Sequence, residues 1–197
     1  MSANAIHLVT NAIALRLKAA LSLAYPPSGN TTGIAYIGPL DDADAANAHL
    51  ALFLYRATPN QALRNAEHRV AASAGQPDQV YLNALPLDLH YMLTIGPRAQ
   101  AGEAESLRVL GFAMQALNDA PVLAGSAIAG ETVRLSLDPL GIDEISRVWA
   151  LFPAINYRTS VLYLASPVWI DPAETETTAA NVTSQDLLAA TLPEETR

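Results

Sequence analysis

The stretch that most constrains the fold is residues 49–65, HLALFLYRATPNQALRN. On an extended chain Leu50, Leu52 and Leu54 share one side, while Phe53 and Tyr55 share the other. A strand that is apolar on both sides has no face to give to water. It belongs inside a sheet that is covered above and below. The pattern then stops. Pro59 has no N–H to give to a ladder, so pairing ends there, and Asn60 suits a turn. Arg56 and Arg64 bracket the break, with Asn65 after them. A guanidinium withdrawn from water is costly unless paired, so these side chains need a carboxylate, a carbonyl or a partner surface.

The flanking sequence supplies the covers. Residues 4–23 carry Ile6, Val9, Ile13 and Leu17 at near-helical spacing and end in Pro26-Pro27-Ser28-Gly29-Asn30. Residues 33–39 form a short strand candidate, and 41–48 an acidic loop that leads into the opening strand. Residues 66–81 are small and polar with weak periodicity and read as a loop. Residues 85–95 alternate, with Leu85, Leu87, Leu89, Tyr91, Leu93 and Ile95 on one face and Asp88, His90, Met92 and Thr94 on the other. Glu103 and Glu105 open a second helix, at the end where carboxylates are favoured, and its expected inner stripe is Leu107, Leu110, Met114 and Leu117. Residues 132–138 form a strand with Val133, Leu135 and Leu137 inward. A short helix follows, with Ile142, Ile145, Trp149 and Phe152 on its packed side, and residues 157–170 form the last strand. Two consecutive strands with no helix between them point to an antiparallel pair. The expected fold is α/β in the α+β sense: a single mixed, largely antiparallel sheet with helices packed against it.

The expected boundary is at residue 172. Six of the nineteen acidic residues fall from Asp171 onward, against one basic residue, so 173–197 reads as an acidic, disordered tail behind a folded 1–172. The chain as a whole is 51% hydrophobic and 15% charged, which is enough apolar material for a sizeable core. A net charge of −8 leaves no basic footprint for nucleic acid. No run of about eighteen unbroken apolar residues suggests a membrane span, and no secretory pattern is seen, so assembly in the cytoplasm is the expectation. One lysine, Lys18, stands against ten arginines. Arginine is the cation that interfaces retain, because its planar fork pairs bidentately and is weakly hydrated; genome composition would give the same bias.

Catalytic chemistry finds little support. Cysteine is absent, which removes disulfides, thiolate metal sites and cysteine nucleophiles. Neither a G-x-S-x-G elbow nor a phosphate-cradling glycine loop occurs. The paired carboxylates Asp41-Asp42 and Asp143-Glu144 are adjacent in sequence and fit loop and helix-start roles. The best enzymatic reading is a metal site of His49, Asp88 and His90, two imidazoles and a carboxylate on neighbouring strands. His7 and His68 fit no constellation. The balance is against an enzyme, and no cofactor is expected.

Five ordered blocks carry a family signal: LALFLYRATPNQALRN, LPLDLHYMLTIG, LRVLGFAMQALNDAPVL, VRLSLDPLGIDEISRVW and YRTSVLYLASPVWID. Together they resemble the cap, or tail-terminator, proteins of extracellular contractile injection systems of the antifeeding-prophage type. The similarity covers most of residues 5–172. It implies a small tail-terminator-like α/β domain that assembles as a ring, a homo-oligomer expected to be a hexamer. The ring would sit on the baseplate-distal end of the inner tube and sheath, end their polymerisation and help set particle length. Tube and sheath proteins are then the partners, with no catalysis, nucleic acid or membrane, and the protein becomes part of the phage-tail-like particle. Under this reading Arg56, Asn60, Arg64, Asn65 and Arg158 are the candidate assembly residues. The alternatives are a neck or baseplate adaptor of a phage-like particle, a small-ligand or peptide binding module, or the metal-dependent enzyme above.

Overall fold

The computed structural model describes residues 3–25, 33–70, 79–98, 102–173 and 177–178. In chain order the elements are α1 (Ala5–Ala24), β1 (Ala35–Ile37), β2 (Leu50–Pro59), β3 (His68–Val70), β4 (Gln79–Tyr81), β5 (Leu85–Ile95), α2 (Glu103–Asp119), β6 (Val122–Ala124), β7 (Thr132–Leu137), α3 (Ile142–Trp149), β8 (Ser160–Ile170) and β9 (Thr177–Thr178). Six strands form the main sheet in the order β1-β2-β5-β8-β7-β6. Every pair is antiparallel except β1–β2, which is parallel. A parallel neighbour needs a crossover, and residues 38–49 supply it with a 3-10 helix at Ala43–Asn47. Asp42 caps that turn by accepting from the Asp44 N–H at 3.2 Å, and the Tyr36 hydroxyl donates to the same carboxylate at 2.7 Å.

The mixed, largely antiparallel architecture is as expected, and the sheet is covered on both faces. On one face Val9, Ile13, Leu17 and Leu21 of α1 and Val109, Leu110, Ala113 and Leu117 of α2 pack on Leu50, Leu52, Leu89, Tyr91, Leu93, Leu135 and Ala165. On the other, Val148, Trp149 and Phe152, from α3 and the turn after it, pack on Ala51, Met92 and Leu162. α1 is long and apolar enough to cross a membrane by length and composition, although Asn11, Arg16 and Lys18 interrupt its apolar run. Here its apolar side lies in the core. Arginine forks tie α1 to α2. Arg108 Nη2 donates to the Ala24 carbonyl at 2.9 Å and to Glu105 at 2.6 Å. Arg16 donates to the carbonyls of Ala120 and, at 2.7 Å, Val122. The end of α1 therefore meets the start of α2, and the two helices run antiparallel.

The structure differs from the sequence reading in several places. Leu107, Leu137 and Ile142 were expected inward and are 43%, 54% and 80% exposed. The buried stripe of α2 runs instead through Ser106, Val109, Leu110, Ala113 and Leu117. The last strand begins at Ser160, three residues later than expected. Residues 66–81 are not simply a loop: β3 and β4 pair antiparallel, and β9 adds to β4, giving a second, three-stranded sheet. Residues 71–78 lie outside the described set. So does most of the expected tail, 173–197, apart from its first residue and the β9 pair.

Two contacts hold the main sheet in place. Tyr91, fully buried on β5, meets Thr10 of α1, hydroxyl to hydroxyl, at 2.8 Å. The Thr10 hydroxyl donates its single proton to the Ile6 carbonyl at 2.7 Å, so the Tyr91 hydroxyl must be the donor between them. Burial pushes the Tyr91 phenol up to about 12. At the end of β5, Gly96 passes so close to residue 48 that a Cβ there would lie 2.3 Å from the Ala48 carbonyl oxygen. Its N–H donates to the His49 carbonyl at 2.8 Å.

Two outcomes follow for chemical denaturation. Thr10→Val strands a buried Tyr91 donor and costs about 1–3 kcal/mol, whereas Tyr91→Phe removes the donor itself and costs about 0.5–1.5 kcal/mol; the reverse order would refute the assigned direction. Gly96→Ala forces a methyl onto main-chain atoms that cannot swing aside and costs about 1–3 kcal/mol; an unchanged denaturation midpoint would show that the close approach relaxes freely.

Candidate assembly surface

The second half of β2 is re-aimed by a bulge. Leu54 pairs with Tyr91, yet Arg56 pairs with His90, so Tyr55 is the extra residue with no partner opposite. Its hydroxyl is buried and has no hydrogen-bond partner among the described residues. Burial is the main cause raising its pKa. Beyond the bulge, Arg56 Nη2 lies 3.3 Å from both ring nitrogens of His90. In the ring plane such a point would collide with Cε1, so the guanidinium lies over the imidazole face. His90 itself is fixed in plane: Nδ1 lies 2.9 Å from Asp138 Oδ2, and Nε2 faces the Thr58 hydroxyl at 3.3 Å.

Asn60 is consumed within the chain. Its amide donates to Asp88 Oδ1 at 2.9 Å and to the Ser166 hydroxyl at 3.2 Å. Its carbonyl oxygen accepts from the N–H groups of Ala62 and Leu63, both at 3.0 Å. Asp88 also accepts from Ser166 at 2.5 Å. This network shapes the turn at 61–65, from which Arg64 and Asn65 stand out exposed, with no partner among the described residues. Arg158 lies elsewhere. It donates to the Gly96 carbonyl at 2.7 Å, at the end of the sheet where Leu50 pairs with Ile95. The five candidate residues therefore do not form one patch: Arg56, Asn60, Arg64 and Asn65 share one end, Arg158 the other. Beside Arg56 a cavity of about 190 Å³ opens between Tyr55, Leu140, Glu144, Arg147 and Val148, next to the exposed first turn of α3.

The metal reading of His49, Asp88 and His90 fails on geometry. His49 precedes β2, and His90 pairs near the other end of that strand. At about 3.3 Å per residue, some 20 Å separate them. His49 accepts from the Ile34 N–H at 3.1 Å and packs on the Tyr25 ring at 4.7 Å. Burial first, and then Arg98, push its pKa down. Asp88 and His90 each have the separate partners described above.

The structure assembles a different set, including a histidine that the sequence reading left without a role. His68 of β3 lies with Nδ1 2.6 Å from Asp171 Oδ1 and Nε2 3.1 Å from Glu131 Oε2. The Trp169 ring stacks on it at 4.6 Å and 10°. These residues come from segments 63 and 103 positions away from His68, so no spacing in the sequence could have revealed the cluster. Among the described residues His7 meets Asn11, one turn along α1.

Comparison with solved structures finds the same fold in two particles. One is the cryo-EM structure of the anti-feeding prophage cap, a tube-terminating cap. The two share 19% identity at a TM-score of 0.57, over 91% of this chain and 60% of the other. The second is the sheath/tube terminator, in the extended state, of an extracellular contractile injection system, PVC. There the identity is 16% and the TM-score 0.51, over 91% of this chain and 64% of the other. The chain thus spans about three fifths of the length of these terminators. No curated protein matches the sequence. The family model for the Pvc16 N-terminal domain matches residues 8–184. With nearly the whole described fold inside that match, the chain belongs to the Pvc16 N-terminal domain family.

Proposed function

We propose that this protein is the cap of a phage-tail-like contractile injection system, seated on the end of the inner tube and sheath, and not an enzyme. The observation that carries the reading is the family match over residues 8–184, on a chain that shares its fold with two tube or sheath terminators. Copies close into a ring, taken as a hexamer, by heterologous contacts. The ring ends polymerisation and so helps define particle length. Assembly takes place in the cytoplasm, and the ring then remains part of the particle.

Within the proposed assembly set the residues divide by role. Arg64 and Asn65 offer uncommitted donors, and Arg56 a guanidinium already laid over His90. Asn60 and Arg158 act indirectly, by holding the turn and the far end of the sheet. Residues 1–172 carry the cap fold, with 173–197 as an acidic tail behind it.

Arg64→Ala keeps monomer stability within about 0.5 kcal/mol, as exposed substitutions do, and abolishes rings in negative-stain images. Asn60→Ala instead costs about 1–3 kcal/mol by leaving Asp88 and two main-chain N–H groups short of partners. Intact rings of the Arg64 variant would remove that residue from the interface, and tubes of normal, uniform length in a deletion strain would defeat the cap role itself. Removing residues 173–197 takes β9 from the small sheet and leaves the circular-dichroism spectrum and the main melting transition in place; loss of the transition would show that the tail is part of the folded body.

A further inference from the structure

We propose that His68, Glu131 and Asp171 form a binding site for a first-row divalent cation of the Mn²⁺ or Zn²⁺ class, which fastens the small sheet to the main one. The three side chains are 5%, 12% and 9% exposed, and one donor atom from each lies within 4.8 Å of the others. They come from β3, from the residue before β7 and from the residue after β8. A cation here joins three segments that are distant in sequence.

The argument begins with the imidazole. Asp171 Oδ1, at 2.6 Å from Nδ1, fixes the proton on that nitrogen, in the carboxylate–imidazole arrangement that orients metal-binding histidines. With Nδ1 engaged in this way, Nε2 faces Glu131 Oε2, 3.1 Å away. Two acceptors facing each other at that distance need a positive charge between them, either a proton or a cation.

The separation fits a shared ion. Bonds of about 2.1 Å to two ligand atoms 3.1 Å apart enclose an angle of about 95°. That is closer to octahedral than to tetrahedral geometry. A mixed imidazole and carboxylate set favours Mn²⁺ or Zn²⁺ over Ca²⁺ or Mg²⁺. A cavity of about 330 Å³, lined by His68, Gly130, Glu131, Thr132 and Trp169 among others, opens beside the ring. It has room for the waters that complete the coordination shell. Trp169, stacked on the imidazole, holds the ring from its face. In this scheme His68 and Glu131 are ligands and Asp171 is a positioning residue.

The test uses the untagged full-length chain, stripped with EDTA, dialysed, and titrated with MnCl₂ or ZnCl₂. Elemental analysis should find one ion per chain, and the melting temperature should rise by several degrees on loading. Glu131→Gln should lose stoichiometric uptake. Asp171→Asn should bind ten- to a hundredfold more weakly, the usual cost of losing an orienting carboxylate. On the wild-type protein, pulsed electron paramagnetic resonance of bound Mn²⁺ should show one imidazole nitrogen, a readout that does not depend on any variant folding. Uptake well below one ion per chain, equal uptake by Glu131→Gln, or a Mn²⁺ signal without nitrogen would each overturn the proposal and leave the contact bridged by a proton.

Discussion

Everything in this molecule is arranged around a sheet that has to be dry on both faces. β5 and β8 run side by side through its centre, with Leu89, Tyr91, Met92 and Leu93 on one and Leu162, Tyr163 and Ala165 on the other, all buried. Main-chain groups of central strands satisfy one another across the ladder, so the remaining task is to cover side chains. α1 and α2 cover one face, and α3 with its following turn covers part of the other. Where α3 does not reach, the second face becomes polar: Thr58, His90, Asp88, Ser166 and Asp138 lie there, joined in hydrogen bonds. The same strands thus pass from an apolar setting to a polar one along their length. The bulge between Leu54 and Arg56 marks the crossing.

That transition explains which features were legible in the sequence. β2, β5 and α1 are long, the two strands marked by continuous apolar runs and the helix by an apolar repeat, so their existence and nearly their ends could be read directly. The small sheet could not. β3 and β4 have three residues each, too few for any period to show, and β9 pairs from beyond the end of the last long strand. Errors of face had one cause. Leu107, Leu137 and Ile142 follow the apolar pattern of their elements, but each lies where no covering layer reaches. A pattern reports that a residue could be buried, not that a neighbour is there to bury it.

The candidate residues were legible as unusual, not as to purpose. Asn60 was a turn residue beside a strand end, and so it is, but its amide is used inside the chain on Asp88 and Ser166. Arg158 was a candidate assembly residue, and its guanidinium donates within the chain to the Gly96 carbonyl. The arginine bias has a similar resolution. Arg16, Arg108 and Arg158 direct their forks at main-chain carbonyls, at helix ends and at the end of β5. A lysine offers one compact point charge and cannot bridge two groups in a plane as a guanidinium does. Part of what suggested an interface in composition is therefore internal fastening, while Arg64 stands exposed with no partner among the described residues.

The edges of the main sheet bear on the proposed role. β1 and β6, at its two ends, are three residues long. A long open edge invites strand addition without limit, and short edges are one way of preventing it. β1 covers only Leu50 to Leu52 of β2, however, and no described strand lies along its outer edge from Phe53 to Pro59, so short terminal strands alone do not select the partner of a protein proposed to stop a polymer. Recognition then has to come from side chains on turns and helix faces, which can be matched to one partner and withheld from others. The turn at 61–65, held rigid by Asn60, and the outer face of α3, where Ile142 stands exposed, have that character. An exposed isoleucine on a short helix beside a shallow cavity contributes nothing to the isolated subunit. Covered by a neighbouring copy it would add apolar burial to the charged contacts of Arg64. Ring closure would then depend on both chemistries at once, so that loss of either would weaken the ring without unfolding the subunit.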